Sequence, residues 1–241
     1  MSLLSRIRAS VPNTITCTSL LLGCVSIVFS FHFSECYGSL KGYQVAFVLI
    51  GLAAVCDFLD GAMARALKAY SELGKQLDSL SDLVSFGVAP SMLVYNMFVE
   101  HQTVNIPYWA TFIAFLIPVF GELRLARFNI DTRQTTSFRG MPIPASAIFW
   151  IGAVAFSEEI MYVGFLPLAA LVVVVSLLMV ADGFKMFSLK FKNFRIADNW
   201  PRFLLIAAAV VLVVLLGVSG LAVTILLYVV LSACVGDLSG R

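Results

Sequence analysis

Asp57-Phe58-Leu59-Asp60-Gly61-Ala62-Met63-Ala64-Arg65, then eight residues, then Gly74-Lys75-Gln76-Leu77-Asp78-Ser79-Leu80-Ser81-Asp82: this stretch places four aspartates in 26 residues, on either side of a short polar break. Both halves continue into long apolar runs, so the helices that carry these carboxylates are expected to sit in a membrane. A charge held there costs roughly 3 kcal/mol or more on insertion scales and marks a functional site by default.

The rest of the chain agrees. It has 241 residues, 60% of them hydrophobic and 12% charged, and a mean hydropathy of +0.95. Those values exclude an ordinary soluble domain. A span needs about 20 apolar residues, and eight runs qualify: 12–31, 43–67, 74–99, 106–127, 142–157, 161–181, 201–217 and 220–236. The fifth is short and opens on Pro142 and Pro144. The chain therefore reads as an all-α integral membrane protein of about eight transmembrane helices, forming a single membrane domain over 1–241.

Charge sets the orientation. With the N-terminus cytoplasmic, all of the 16 Lys and Arg residues except Lys41 fall on the cytoplasmic side, as the positive-inside rule requires. That side holds Arg6, Arg8, Arg65, Lys68, Lys75, Arg124, Arg127, Arg133, Arg139, Lys185, Lys190, Lys192, Arg195, Arg202 and Arg241. Glu35, Glu100, Glu158 and Glu159 lie opposite. Both termini and the aspartates are thus expected to face the cytoplasm. The basic face suits anionic headgroups or phosphorylated substrates, and the Lys185–Arg195 cluster could recruit anionic lipid. No nucleic-acid module is visible. The first apolar segment lacks a cleavage site and reads as a retained helix, preceded by a short interfacial helix ending at Pro12. The scattered cysteines read as packing residues. His32 and His101 read as far-side loop residues, and Asp182 and Asp198 as solvated charges.

Helix geometry gathers the four carboxylates. The connection through Ala69, Tyr70, Ser71 and Glu72 is short, which predicts antiparallel neighbours with Ser71 as N-cap. At 100° per residue Asp57, Asp60, Gly61 and Ala64 share one arc, with Arg65 at its edge. Gly74, Asp78 and Asp82 stack at i, i+4 and i+8. Counted from Tyr70, Asp60 lies about 15 Å and Asp78 about 12 Å along their helices, with Asp57 and Asp82 a turn deeper. Four like charges at one level call for cations, and an all-oxygen set suits Mg²⁺, Mn²⁺ or Ca²⁺. Two such ions would suit phosphoryl transfer. Gly61 and Gly74 either let a bulky group reach the backbone or let helices pack closely. Arg65 could pair with a phosphate or with the carboxylates.

The pattern D-x2-D-G-x2-A-R-x8-G-x3-D-x3-D, complete from Asp57 to Asp82, resembles the signature of the CDP-alcohol phosphatidyltransferases. The resemblance implies a CDP-linked lipid donor, two Mg²⁺ or Mn²⁺ ions, a homodimer, and a six-helix core around a cavity open to the cytosol. It implies that Asp57, Asp60 and Asp78 hold metal, and that Asp82 contacts the second metal and acts as general base. Gly61, Ala64, Arg65 and Gly74 would line the cytidine nucleotide site.

Other segments bear on the acceptor. Leu123-Arg124-Leu125-Ala126-Arg127-Phe128-Asn129, Phe138-Arg139-Gly140-Met141-Pro142-Ile143-Pro144-Ala145 and Ser85-Phe86-Gly87-Val88-Ala89-Pro90 are similar to membrane-embedded bacterial and archaeal phosphatidylserine synthases. So are Pro12-Asn13-Thr14-Ile15-Thr16 and the stretch from Leu178 to Lys190. The similarity covers about 11–192 and leaves 201–236 as an additional helical hairpin; Glu122 and Met141 depart from it. It implies transfer of a phosphatidyl group from CDP-diacylglycerol to L-serine in a prokaryotic cell membrane, with release of CMP. A serine carboxylate wants an arginine fork, for which Arg124, Arg127, Asn129 and Arg139 are the candidates. Glycerol 3-phosphate, an inositol phosphate or choline are alternative acceptors. A cation channel or transporter is the alternative class; it would spread carboxylates along a path across the membrane, whereas these cluster at one end.

Overall fold

Each of the eight apolar runs contains helix in the computed structural model, which describes residues 3–130, 137–187 and 196–235. Arg133, Lys190, Lys192, Arg195 and Arg241 lie outside the described residues, as do the side chains of Arg6, Arg8 and Asp198. The chain forms two compact units, Met1–Glu122 and Leu123–Arg241.

The first unit opens with α1 (Leu3–Phe31), a two-residue-per-strand hairpin β1 (Cys36–Tyr37) and β2 (Leu40–Lys41), and α2 (Gly42–Ala66). After α2 come α3 (Glu72–Asp82), a π-helical turn (Leu83–Val88), α4 (Ala89–Glu100) and a 3₁₀ segment (Tyr108–Phe115). Helix α5 (Leu116–Ile130) runs across the boundary between the units.

Two expectations are corrected here. Helix α1 does not end at Pro12 but carries it internally. A proline inside a helix removes one donor, and the helix absorbs that single loss. The run 74–99 is not one α-helix, because a π turn follows Asp82 directly. A π turn adds a residue and shifts the helix phase. The polar stripe of α3 is therefore not continued into α4, where Ala89, Leu93, Val94 and Met97 are almost fully buried.

The break between the aspartate helices has clear local causes. Lys68 adopts a left-handed conformation (φ 51°), and the Ala69 N–H donates back to the Ala64 carbonyl at 3.0 Å. That pairing is a Schellman-type stop, rarely built on a non-glycine residue. Ser71 then restarts the chain as expected, accepting the Gly74 N–H at 2.9 Å through its hydroxyl. Hydroxyls join the helices of this unit. Ser19 donates to the Ala53 carbonyl (3.0 Å), Ser81 to that of Thr16 (3.1 Å) and Ser85 to that of Ser19 (3.0 Å). Small hydroxyl residues of this kind allow close approach of helices in lipid and link them by hydrogen bonds.

The second unit contains β3 (Ser137–Arg139), α6 (Ile143–Glu159), α7 (Phe165–Met179), β4 (Lys185–Phe187), α8 (Ile196–Leu216) and α9 (Gly220–Val235). Strands β3 and β4 pair antiparallel. Helices α8 and α9 turn back on each other at Gly217 (φ 60°). Helix α9 also packs on α6, where a Cβ on Gly152 would run into the Ala222 backbone. The last two helices thus belong to the core of this unit. Tyr228 on α9 donates to the Phe187 carbonyl at 2.5 Å.

Among the described residues the fold is all-α apart from these short strands. Among the described residues, five helical stretches are long and apolar enough to cross a membrane: Ser10–Phe31, Gly42–Ala66, Glu72–Glu100, Tyr108–Ile130 and Asn199–Val235. Helix α7 is apolar but shorter. The protein is an integral membrane protein.

Candidate active site

Helix α1 holds the site together. It packs along α2 and also against α3, which touch each other little. The aspartate helices are therefore not closely packed neighbours. The space between them is a cavity of about 530 Å³. Its walls are Pro12, Asn13 and Thr16 from α1, Asp60, Gly61 and Ala64 from α2, Glu72, Gly74, Lys75 and Asp78 from α3, and Ala69, Tyr70 and Ser71 from the connection.

Asp57, Asp60 and Asp78 each offer a carboxylate oxygen, and the three oxygens lie within 4.8 Å of one another. Asp82 is a hydrogen-bonding neighbour of Asp57. Two anions do not sustain such contact without a proton or a cation between them. Asp60 is only 5% exposed and accepts a hydrogen bond from Thr16 Oγ1 at 2.5 Å. The Pro12 carbonyl lies 3.1 Å from the same hydroxyl, whose single proton goes to the nearer carboxylate. An oxygen-only set of this density fits hard divalent cations.

The glycines border the same space. A Cβ on Gly74 would meet Ser71 Oγ at 3.0 Å and Asn13 Oδ1 at 3.1 Å, so this backbone is tightly flanked. A Cβ on Gly61 would lie 3.5 Å from Arg65 Nη1. The guanidinium thus folds back over Gly61, although Arg65 itself is exposed.

Thr16 and Asn13 carry no charge and lie far in sequence from the aspartates, so spacing along the motif did not single them out. The threonine supports Asp60 from behind, a position whose loss typically weakens metal binding by about 10- to 100-fold. Thr16→Val is accordingly expected to raise the Mn²⁺ concentration for half-maximal activity by at least tenfold, measured by titrating the metal-free protein. An unchanged midpoint would leave Thr16 a packing residue only.

The arginine candidates form a cluster of their own in the second unit. Arg124, Arg127 and Arg139 line a small pocket with Phe128, Met179, Val180 and Asp182. Arg124 is 9% exposed, its guanidinium 5.2 Å from the centroid of Phe128. Arg127 donates to the Val180 carbonyl at 2.8 Å and lies 3.7 Å from Asp182 Oδ1. Arg139 is placed by β3 and by the Gly140 N–H, which donates to the Phe184 carbonyl at 2.8 Å. Gly140 needs to be glycine, since its φ is 71° and a Cβ would strike the Met179 carbonyl. Asn129 is not part of the pocket wall. Asp182, read from sequence as a solvated charge, is 75% exposed and lies within ion-pair distance of Arg127.

A family model for CDP-alcohol phosphatidyltransferases matches residues 9–181. A CDP-diacylglycerol–serine O-phosphatidyltransferase of Helicobacter pylori is 31% identical over 231 residues, covering 91% of this chain and 87% of that protein. One of Bacillus subtilis is 43% identical over 100 residues, covering 42% of this chain and 53% of its own length. An archaetidylserine synthase of Methanothermobacter thermautotrophicus is 37% identical over 141 residues, 58% of this chain and 55% of its own.

Proposed function

The chain belongs to the CDP-alcohol phosphatidyltransferase family, and from that premise we propose that it transfers the phosphatidyl group of CDP-diacylglycerol to the hydroxyl of L-serine, releasing CMP. The observation that carries the reading is the meeting of Asp57, Asp60 and Asp78 within 4.8 Å, with Asp60 and Asp78 in the wall of a cavity framed by Gly61, Ala64 and Gly74. The serine acceptor is supported by the relatives' names.

Asp57, Asp60 and Asp78, with Asp82 at the edge of the cluster, would hold two ions, Mg²⁺ or Mn²⁺. When bound, such ions neutralise the diphosphate and the charge that develops on the leaving oxygen. Gly61, Ala64 and Gly74 admit the cytidine diphosphate because they add little bulk to the cavity wall. Arg65 reaches over Gly61 and pairs with phosphate. Asp82 takes the proton of the serine hydroxyl as its oxygen attacks the lipid-side phosphorus. The bond from that phosphorus to the bridging oxygen breaks, and CMP departs with the electron pair. Arg124, Arg127, Asn129 and Arg139 would serve the acceptor, chiefly its carboxylate.

The two units form one membrane domain in this reading. It crosses the bilayer eight times, with both termini and the site on the cytoplasmic side of a prokaryotic cell membrane. Residues 11–192 form the six-helix catalytic core, 201–236 the added hairpin, and the protein pairs as a homodimer.

The acceptor is tested with purified protein, CDP-diacylglycerol and Mn²⁺ or Mg²⁺, scoring CMP release with a panel of alcohols. Serine is expected to stimulate release at least tenfold above glycerol 3-phosphate, inositol phosphate or choline. Stimulation by one of those instead would transfer the reading to that acceptor.

A further inference from the structure

The pocket of the second unit is lined by Arg124, Arg127 and Arg139 and by one carboxylate, Asp182, which faces Arg127 beside the C-terminal end of α7. We propose that Asp182 and the Val180 carbonyl bind the ammonium group of the acceptor, and so select a zwitterionic alcohol over an anionic or neutral one. This inference rests on the serine reading above and deepens it.

The position is already a cation site. A helix C-terminus carries partial negative charge and unsatisfied carbonyls. At this one the Leu178 carbonyl is taken by the Met141 N–H at 3.1 Å. The Val180 carbonyl instead receives the guanidinium of Arg127 at 2.8 Å, with Asp182 Oδ1 at 3.7 Å from the same nitrogen. The Arg127 and Asp182 side chains are 51% and 75% exposed, so water screens the pair and it parts readily.

The pocket as it stands has about 10 Å³ of free volume, room for about one water molecule. An amino acid therefore enters only by separating Arg127 from Asp182. A zwitterion does this with every charge re-paired. Its ammonium takes the place of the guanidinium at Asp182 and the Val180 carbonyl. Its carboxylate takes the freed Arg127, with Arg124, steadied over Phe128, and Arg139 nearby. Glycerol 3-phosphate or an inositol phosphate would bring only negative charge and leave Asp182 facing an anion. Choline's quaternary nitrogen has no hydrogen to donate. The internal ion pair is thus complementary to an acceptor that carries both charges.

The test uses the full chain, with CMP release from CDP-diacylglycerol at varied L-serine and with 3-hydroxypropionate, which is serine without its ammonium group, as a competitor. Asp182→Asn is expected to raise the KM for serine at least tenfold. The inhibition constant of 3-hydroxypropionate should stay within twofold or fall, and the KM for CDP-diacylglycerol should stay within twofold. Asp182→Glu, which keeps the charge, should hold the serine KM within threefold of the unaltered protein. An unchanged serine KM in Asp182→Asn overturns the proposal. So does a parallel rise for serine and 3-hydroxypropionate, because Asp182 would then act only by positioning Arg127. Failure of the unaltered protein to use serine would overturn the serine reading and this proposal together, whereas the two variant results overturn the proposal alone.

Discussion

Asp82→Asn is expected to lower CMP release by about 10²- to 10⁴-fold, the range lost with a positioned general base, and Asp78→Asn to lower it by at least as much. Both are expected to yield folded protein. Asp78 sits with Asp57 and Asp60 within 4.8 Å, and Asp82 contacts Asp57. Removing one like charge from such a group relieves repulsion in the metal-free protein, and the amide keeps the side-chain shape. Melting temperatures should therefore be equal to or above that of the unaltered chain, measured without added metal. The two variants should also part company. Asp78→Asn should require more metal for any residual turnover, whereas Asp82→Asn should keep most of the metal response and lose chiefly kcat. Activity within tenfold of the unaltered protein in both would sink the assignment of this cluster to catalysis.

Removal of divalent cations is expected to have an effect of similar size. Dialysis against EDTA should bring CMP release to background, with recovery on adding Mn²⁺ or Mg²⁺. The reason is electrostatic: an unneutralised group of aspartates repels a diphosphate, so the donor is neither bound nor polarised. A second readout separates loss of metal from loss of fold. Mn²⁺ should raise the melting temperature of the unaltered protein, because a ligand that binds only the native state stabilises it, and should raise it much less in Asp78→Asn. Turnover that persists undiminished in EDTA would refute the metal reading.

Much of this site could be read along the chain. The i, i+3 and i, i+4 spacings that put Asp57 with Asp60, and Asp78 with Asp82, are properties of a single helix and need no tertiary information. Ser71 was legible as a cap for the same reason. Where reading failed, the missing information was not local. The π turn after Asp82 arises within a run whose apolar content continues unbroken, so periodicity carried no mark of it. Pro12 looked like a boundary because proline lacks a donor, yet one lost bond does not end a helix of 29 residues.

The partners of the charged groups were the least legible. The hydrogen bond from Thr16 to Asp60 joins residues 44 apart, and the contact of Arg127 with Asp182 depends on where α7 ends and β3 returns. Asp182 by itself is one acidic residue in a polar loop, with nothing in its neighbours to suggest a site.

The sequence by itself determined that this is a helical membrane protein with its costly charges concentrated between Asp57 and Asp82, because hydropathy and helical period are written residue by residue. Only the tertiary structure decided that α1 stands as the third wall of the aspartate cavity, and that Asp182 completes the arginine pocket. Those facts depend on helix packing and on the return of distant chain segments, which no local pattern encodes.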